Sequence, residues 1–180
     1  MRQILLHTLM AGLLTSCNFV GVIAPPYYRG SYAPGETGVQ GLMPVVVRGN
    51  PFTSPNVDVA AAVVDAMQGN TWWPTRFVPS TVNPQSSYRV VVLFSGPSSM
   101  PYPDLCTSAV LPTVPREEGA PTPVSAALCK WDVLMAATSS QLQVASPQDP
   151  QFRGVMGGIA RALFPPDNPD AAWRGGDRDF

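Results

Sequence analysis

Residues 88–94, Tyr-Arg-Val-Val-Val-Leu-Phe, bring β-branched and large apolar side chains together in one short run. Beyond Arg89 both alternating faces of this run are apolar, and a strand of that kind lies in a sheet with both faces covered. The preceding residues Asn83-Pro84-Gln85-Ser86 are typical of a turn. We therefore expect residues 88–94 to form a central strand.

Two shorter stretches predict further strands. Val45-Val46-Val47 is a β-branched run that ends at Gly49-Asn50-Pro51. Trp72-Trp73-Pro74 and Phe77-Val78 predict an irregular strand, which its prolines exclude from the centre of a sheet. We interpret the paired tryptophans as packing residues rather than as a platform for a ligand.

The run from Ala126 to Met135 predicts one long strand. Alternation would place Cys129, Trp131, Val133 and Met135 on one face, and Leu128, Lys130, Asp132 and Leu134 on the other. We interpret Lys130 and Asp132, together with Arg89 of the neighbouring strand, as a polar patch that serves packing and solubility. The loop before this strand, residues 95–123, contains seven prolines. Because it is so long, some interaction should pin it.

Helical periodicity appears twice. Ser54 is the expected N-cap of a first helix that starts at Pro55 and ends before Gly69. Its apolar positions are Ala60, Val63, Val64 and Met67. Asp149 is the expected N-cap of a second helix, which starts at Pro150 and stops at Pro165-Pro166. Its apolar stripe consists of Phe152, Val155, Met156, Ile159 and Leu163, and the glycines at 154, 157 and 158 should permit close approach to the sheet.

The order of these elements predicts a two-layer α+β domain, with a mainly antiparallel or mixed sheet of three to five strands packed by two helices. We expect one globular domain over residues 44–166. Residues 17–43, rich in Gly, Pro and Tyr, are predicted to be the N-terminal segment and flexible tether of the mature chain, and residues 167–180 a polar tail.

The first sixteen residues have the composition of a signal peptide. Arg2 supplies a positive n-region, and residues 4–14 supply an apolar h-region. The stretch Leu14-Thr15-Ser16-Cys17 then resembles the lipobox of bacterial lipoproteins. The resemblance implies cleavage before Cys17, a diacylglycerol on its thiol and palmitate-type acyl chains that hold the protein in a membrane. Asn18 rather than Asp follows the cysteine, which by the same resemblance favours the outer membrane.

The two remaining cysteines form an even pair in the oxidising periplasm that this resemblance implies, so we expect a disulfide between Cys106 and Cys129. It would close about 23 residues and pin the proline-rich loop to a strand. The alternative, thiol-disulfide exchange, lacks a C-x-x-C pair and a neighbouring histidine.

The only histidine, His7, lies in the leader, so the mature chain has none. This excludes catalysis by Ser-His-Asp or Cys-His groups and zinc sites built on histidine. The carboxylate pairs Glu117-Glu118 and Asp177-Asp179 lie in loop and tail sequences that look solvated. We therefore predict no catalytic residue, no metal and no cofactor.

Charge argues against nucleic acid as a partner. The formal net charge is -1, and loss of Arg2 leaves ten basic side chains against twelve acidic ones, without a basic cluster. Beyond residues 4–15 no apolar run approaches the roughly 20 residues of a membrane span, so the mature chain is expected to be anchored rather than embedded.

The function expected from these features is non-enzymatic. We expect a lipid-anchored domain in the cell envelope, facing the periplasm, that binds an envelope protein or supports the assembly of a complex. The alternative is a small carboxylate-based hydrolase, or a carrier of an apolar ligand between sheet and helices. A closed pocket with converging polar groups would favour the alternative, whereas a flat apolar patch would favour partner binding.

Overall fold

The structure is a computed structural model that describes residues 26–29, 41–72, 74–80, 87–115 and 119–166. Its elements follow in chain order. They are β1 (Tyr27–Tyr28), β2 (Gly41–Arg48), α1 (Val59–Met67), β3 (Thr75–Ser80), β4 (Tyr88–Phe94), α2 (Asp104–Thr107), β5 (Thr122–Lys130), β6 (Val133–Leu142) and α3 (Pro150–Leu163).

The protein has an α+β fold with one open, mixed sheet of six strands in the order β1-β6-β5-β4-β2-β3, and three helices among the described residues. The predicted numbers of strands, three to five, and of helices, two, were both too low. The sheet also has more parallel pairing than the mainly antiparallel arrangement that was expected. Helix α1 connects β2 to β3 as a crossover, which makes these two strands parallel, and β4 pairs with the other edge of β2 in the same direction. The pairs β4–β5, β5–β6 and β1–β6 are antiparallel.

Strand β4 lies inside the sheet between β5 and β2, as the run over residues 88–94 predicts. Its side chains alternate between two cores. Val90, Val92 and Phe94 face the core that the sheet shares with α1 and α3. Val91 and Leu93 face a smaller core under α2 and the proline-rich loop. The edge position predicted for the strand after Trp72 is also confirmed, because β3 is the last strand of the sheet.

The stretch 126–135 is not one strand, so that prediction was wrong. Strands β5 and β6 form a hairpin whose closing pair is Lys130 and Val133, with Trp131 and Asp132 as its turn. The predicted alternation therefore fails beyond Cys129. A bulge at Leu128/Cys129 shifts the register further, so that Met135 joins the core under α1 and α3 while Cys129 faces α2.

Helix α3 agrees with its prediction, since it begins at Pro150 and the Asp149 side chain accepts a hydrogen bond from the Gln151 amide at 2.8 Å. Its Gly157 approaches Asn70 after α1 rather than the sheet, and an added Cβ would lie 2.9 Å from that side chain. The predicted N-cap of α1 was wrong. Asp58, not Ser54, accepts the hydrogen bond from the Ala61 amide at 3.0 Å.

Two parts of the predicted tether, residues 17–43, lie in the sheet. Tyr27 and Tyr28 pair with Ala137 and Ala136, and β2 already starts at Gly41. The Tyr28 hydroxyl also donates a hydrogen bond to the Ala162 carbonyl of α3. None of the helices in the described part of the chain is long and apolar enough to cross a membrane. Cys17 and the pairs Glu117-Glu118 and Asp177-Asp179 lie outside the described residues.

Candidate docking site

One end of the sheet carries exposed apolar side chains from three places in the chain. The register aligns Met43 with Phe77 in the pair β2–β3, and Tyr88 with Lys130 in the pair β4–β5. Because β2, β3 and β4 are parallel, all three begin at the end where the β5–β6 hairpin turns. The large apolar side chains exposed there are Leu42 (62%), Trp72 (65%), Trp131 (56%) and Val133 (41%). We call this set the apolar end.

Trp131 has the least ordinary backbone of these residues. It is the first residue of a two-residue hairpin turn and has a φ of 53°. Asp132, the second turn residue, is not among the described residues with positive φ. A positive φ at the first position alone is the pattern of a type II′ turn, where glycine is usual. A bulky side chain in this backbone region costs about 1–3 kcal/mol and persists only where its surroundings enforce it.

Three hydrogen bonds around the turn provide that enforcement. The Trp131 amide donates to the Ser87 carbonyl at 2.8 Å. Arg89 donates from Nη1 to the Trp131 carbonyl at 2.7 Å and from Nη2 to the Cys106 carbonyl at 2.6 Å. The amide and the carbonyl of Trp131 are therefore both held, the amide by Ser87 just before β4 and the carbonyl by Arg89 within β4.

Arg89 is 4% exposed, so the structure places this charge inside the protein. Its carboxylate partner is Asp132, whose Oδ1 lies 3.5 Å from Nη2 and whose side chain is 76% exposed. A buried charge needs hydrogen-bond partners, and the two short bonds to backbone carbonyls supply them. The guanidinium thus fastens the hairpin turn to α2.

The polar patch predicted from Arg89, Lys130 and Asp132 forms only in part. Arg89 and Asp132 are brought together, but Arg89 is buried rather than solvated. Lys130 instead places its Nζ 5.2 Å from the centroid of the Tyr88 ring. A lone arginine in an otherwise apolar strand was the sequence signal for a buried charge, but its partners are distant in sequence and carry no motif.

The Cys106–Cys129 disulfide that the sequence predicts is present, with the two Cα atoms 5.6 Å apart. It joins α2 to β5, and Cys129 lies directly opposite Arg89 in the pair β4–β5. Both half-cystines are buried in the smaller core. The proline-rich loop is therefore pinned next to the hairpin turn.

A groove of about 700 Å³ lies at the opposite end of the sheet, between the loop at residues 96–102 and the ends of β5 and β6. Its polar lining consists of hydroxyl and amide side chains, namely Ser98, Tyr102, Ser125, Ser139, Ser140, Gln141, Gln143 and Gln151. The Tyr102 hydroxyl donates to Ser139 Oγ at 3.1 Å. None of the residues that line the groove is charged. In the described part of the chain, no group of three or more His, Cys, Asp or Glu residues could hold a metal ion.

Comparisons with known proteins add little. No protein family model matches the sequence. No curated protein matches it either. The solved dodecamer of PelC from Paraburkholderia phytofirmans in space group P6 aligns with a TM-score of 0.40 and 9% identity, over 79% of this chain and 94% of that chain. A point variant of the same dodecamer in space group C2 aligns with a TM-score of 0.38 and 10% identity, over 81% and 96%. A likeness this weak supports no statement about what this chain does or how it assembles.

Proposed function

We propose that this protein is a lipid-anchored, non-enzymatic module of the cell envelope that faces the periplasm and binds an envelope protein through its apolar end. The observation that carries the proposal is Trp131, a half-exposed tryptophan held in a backbone conformation that ordinarily requires glycine. Tryptophan is among the residues most enriched at the energetic centres of protein interfaces. An interaction partner gives this side chain a role that stability alone does not.

Rigid presentation strengthens the case for docking. A side chain that is ordered before binding loses less conformational entropy in the complex. The bonds of Ser87 and Arg89 to the Trp131 peptide groups fix the backbone from which the indole projects, which removes part of that entropy cost. Leu42, Trp72 and Val133 add apolar area at the same end of the sheet.

The direction of β1 relates the apolar end to the proposed anchor. Tyr27 pairs with Ala137 and Tyr28 with Ala136, so the chain enters β1 from the side of the groove and runs toward the apolar end. Only residues 18–25 separate Cys17 from Pro26, a distance of at most about 30 Å when extended. A lipid on Cys17 would therefore hold the domain within about 30 Å of the membrane surface.

The anchor is tested by metabolic labelling with palmitate. Replacement Cys17→Ala is expected to abolish labelling and to leave the precursor with its leader. A second variant, Asn18→Asp, is expected to move the labelled protein from the outer to the inner membrane if the sorting resemblance holds. Normal processing of Cys17→Ala would refute the lipid anchor.

Docking is tested by photo-crosslinking in cells. A photoreactive amino acid in place of Val133, next to Trp131, is expected to give a discrete protein adduct that disappears when Trp131→Ala is added. The matched control places the same group at Val114, which is 49% exposed and bonds to Ser95 at the opposite end of the sheet. An adduct that persists without Trp131, or that forms equally from position 114, would rule out docking at the apolar end.

A second candidate function, carriage of a small uncharged or apolar ligand, is favoured by the groove. Its volume lies within the range of about 300–1,000 Å³ that ligand pockets occupy. The groove is open and lies away from the space between sheet and helices where a carrier site was expected. A hydrolase gains no support from it, since no carboxylate lines it. Native mass spectrometry of the full chain, with Ser139→Trp to fill the groove, tests carriage; identical spectra without added mass in either protein would exclude it.

A further inference from the structure

We infer that formation of the Cys106–Cys129 disulfide fixes Trp131 within the apolar end, with Arg89 as the positioning residue that connects the disulfide-bonded helix to the turn. Docking would then begin only after the chain has been oxidised. The inference rests on the proposed function, because it concerns how the same surface is built. It assigns a role to a buried arginine that packing does not require.

The contacts around Arg89 form a closed ring. Arg89 binds the Cys106 carbonyl, Cys106 is bonded through its sulfur to Cys129, and Cys129 stands two residues before Trp131 in the hairpin. The ring closes because Arg89 also binds the Trp131 carbonyl. Each member limits the movement of the next, so the positive φ of Trp131 is held from both sides.

Helix α2 is the part of this ring that the disulfide secures. It has four residues, and the backbone amides of Asp104, Leu105, Cys106 and Ser108 all bond within residues 101–108. A helix of one turn is not stable by itself. Among the hydrogen bonds described for α2, the one that connects it to the sheet is the bond from Arg89 to Cys106. Without the disulfide, the position of this carbonyl depends on the packing of Leu105 and Cys106 in the smaller core and on the contacts of the adjacent loop.

The loss of that carbonyl would change what Arg89 does. The guanidinium would keep the Trp131 carbonyl and the exposed Asp132 carboxylate, but it would lose the acceptor that fixes it in the interior. A buried charge without a fixed acceptor turns toward solvent. The Asp132 side chain is exposed, so Arg89 is expected to turn away from α2 toward this carboxylate. Its bond to the Trp131 carbonyl then has no fixed geometry and holds the strained turn less firmly.

The oxidation itself is ordinary thiol-disulfide exchange with a disulfide oxidant. The thiolate of one cysteine attacks the oxidant and forms a mixed disulfide, and the second thiolate displaces the oxidant as a dithiol. Two electrons and two protons pass from the cysteine pair to the oxidant. In the folded protein Cys106 is 2% and Cys129 0% exposed, so the bond is protected once it has formed. The chain would therefore acquire its docking surface once, on reaching an oxidising compartment.

The test follows the Trp131 amide by NMR hydrogen exchange in the full chain, with crosslinking from position 133 in parallel. In Cys106→Ala/Cys129→Ala we expect exchange of this amide to rise, and crosslinking to fall, by about tenfold, the effect of losing one hydrogen bond to a charged group. In Arg89→Lys the ammonium group can reach one of the two carbonyls but not both. This variant should therefore show the same rise in exchange and the same fall in crosslinking with the disulfide intact. Combining the changes should add less than twofold, because both act through one ring.

The matched control is Tyr102→Phe, which removes a hydrogen bond of the same proline-rich loop to Ser139 outside the ring. It should leave the Trp131 amide unchanged. If the double cysteine variant fails to fold, Arg89→Lys decides alone. Unchanged exchange in Arg89→Lys, or an effect of equal size in Tyr102→Phe, would overturn the inference. By contrast, crosslinking from position 133 that is unchanged by Trp131→Ala would overturn the docking function. The hydrogen-exchange results would still test whether Arg89 and the disulfide hold the turn.

Discussion

Replacing Trp131 by glycine or by alanine should reverse the usual order of stability of these two residues. In most positions glycine is less stable than alanine by about 0.5–1 kcal/mol because the unfolded chain gains freedom. At a φ of 53°, however, alanine retains the steric cost of a left-handed backbone, about 1–2 kcal/mol, and glycine does not. Both variants lose the same indole. We therefore expect Trp131→Gly to exceed Trp131→Ala by about 0.5–1 kcal/mol in unfolding free energy.

Urea unfolding followed by far-UV circular dichroism measures this difference. With a slope of about 2 kcal/mol/M, the two midpoints should differ by about 0.25–0.5 M in favour of glycine. The matched control is the adjacent turn residue, where Asp132→Ala should be more stable than Asp132→Gly. If alanine is as stable as glycine at position 131, the turn is not strained and the argument for a functional tryptophan fails. Both Trp131 variants should lose crosslinking equally, since neither has the indole.

Three further changes test the fold. Removal of both half-cystines, Cys106→Ala/Cys129→Ala, should lower the unfolding free energy by about 3 kcal/mol in urea, the entropy of a loop of 23 residues. Asp58→Ala should cost about 1 kcal/mol as the loss of the α1 N-cap, whereas Ser54→Ala should stay within about 0.5 kcal/mol. Tyr28→Phe should cost about 1 kcal/mol, because its hydroxyl joins β1 to α3.

For each of these variants, one measured outcome would contradict the prediction. A loss below about 1 kcal/mol on removal of the disulfide would mean that the proline-rich loop is held by other contacts. Equal losses at Asp58 and Ser54 would contradict the assignment of the cap. A neutral Tyr28→Phe would show that β1 does not depend on α3.

Local signals predicted the elements whose causes are local. Asp149, Pro150 and the proline pair after residue 164 are enough to bound α3, because a cap, a first-turn proline and a stop all act within a few residues. The first helix shows the limit of the same reasoning. Ser54-Pro55 and Asp58 are both acceptable starts, and only the contacts of the folded chain selected Asp58.

The hairpin between β5 and β6 was missed because Asp132 is the one turn-forming residue in its turn, and it stands between apolar and long side chains. Lys130-Trp131-Asp132-Val133 contains no glycine, proline or asparagine, so the run reads as a continuous strand. The parallel direction of β4 was missed for a related reason. Direction is decided by the path of residues between strands, and side-chain alternation is the same in both directions.

The sequence alone determined the central strand, the long C-terminal helix and the pairing of Cys106 with Cys129. The leader predicted from its first sixteen residues and the absence of histidine after residue 7 also directed the expected function toward an anchored binding protein. The tertiary structure alone decided where Trp131 stands. Its conformation is imposed by Arg89, 42 residues earlier, and by the carbonyl of Cys106. These hydrogen bonds join residues that come close together only after the sheet has formed, so no local sequence pattern predicts them.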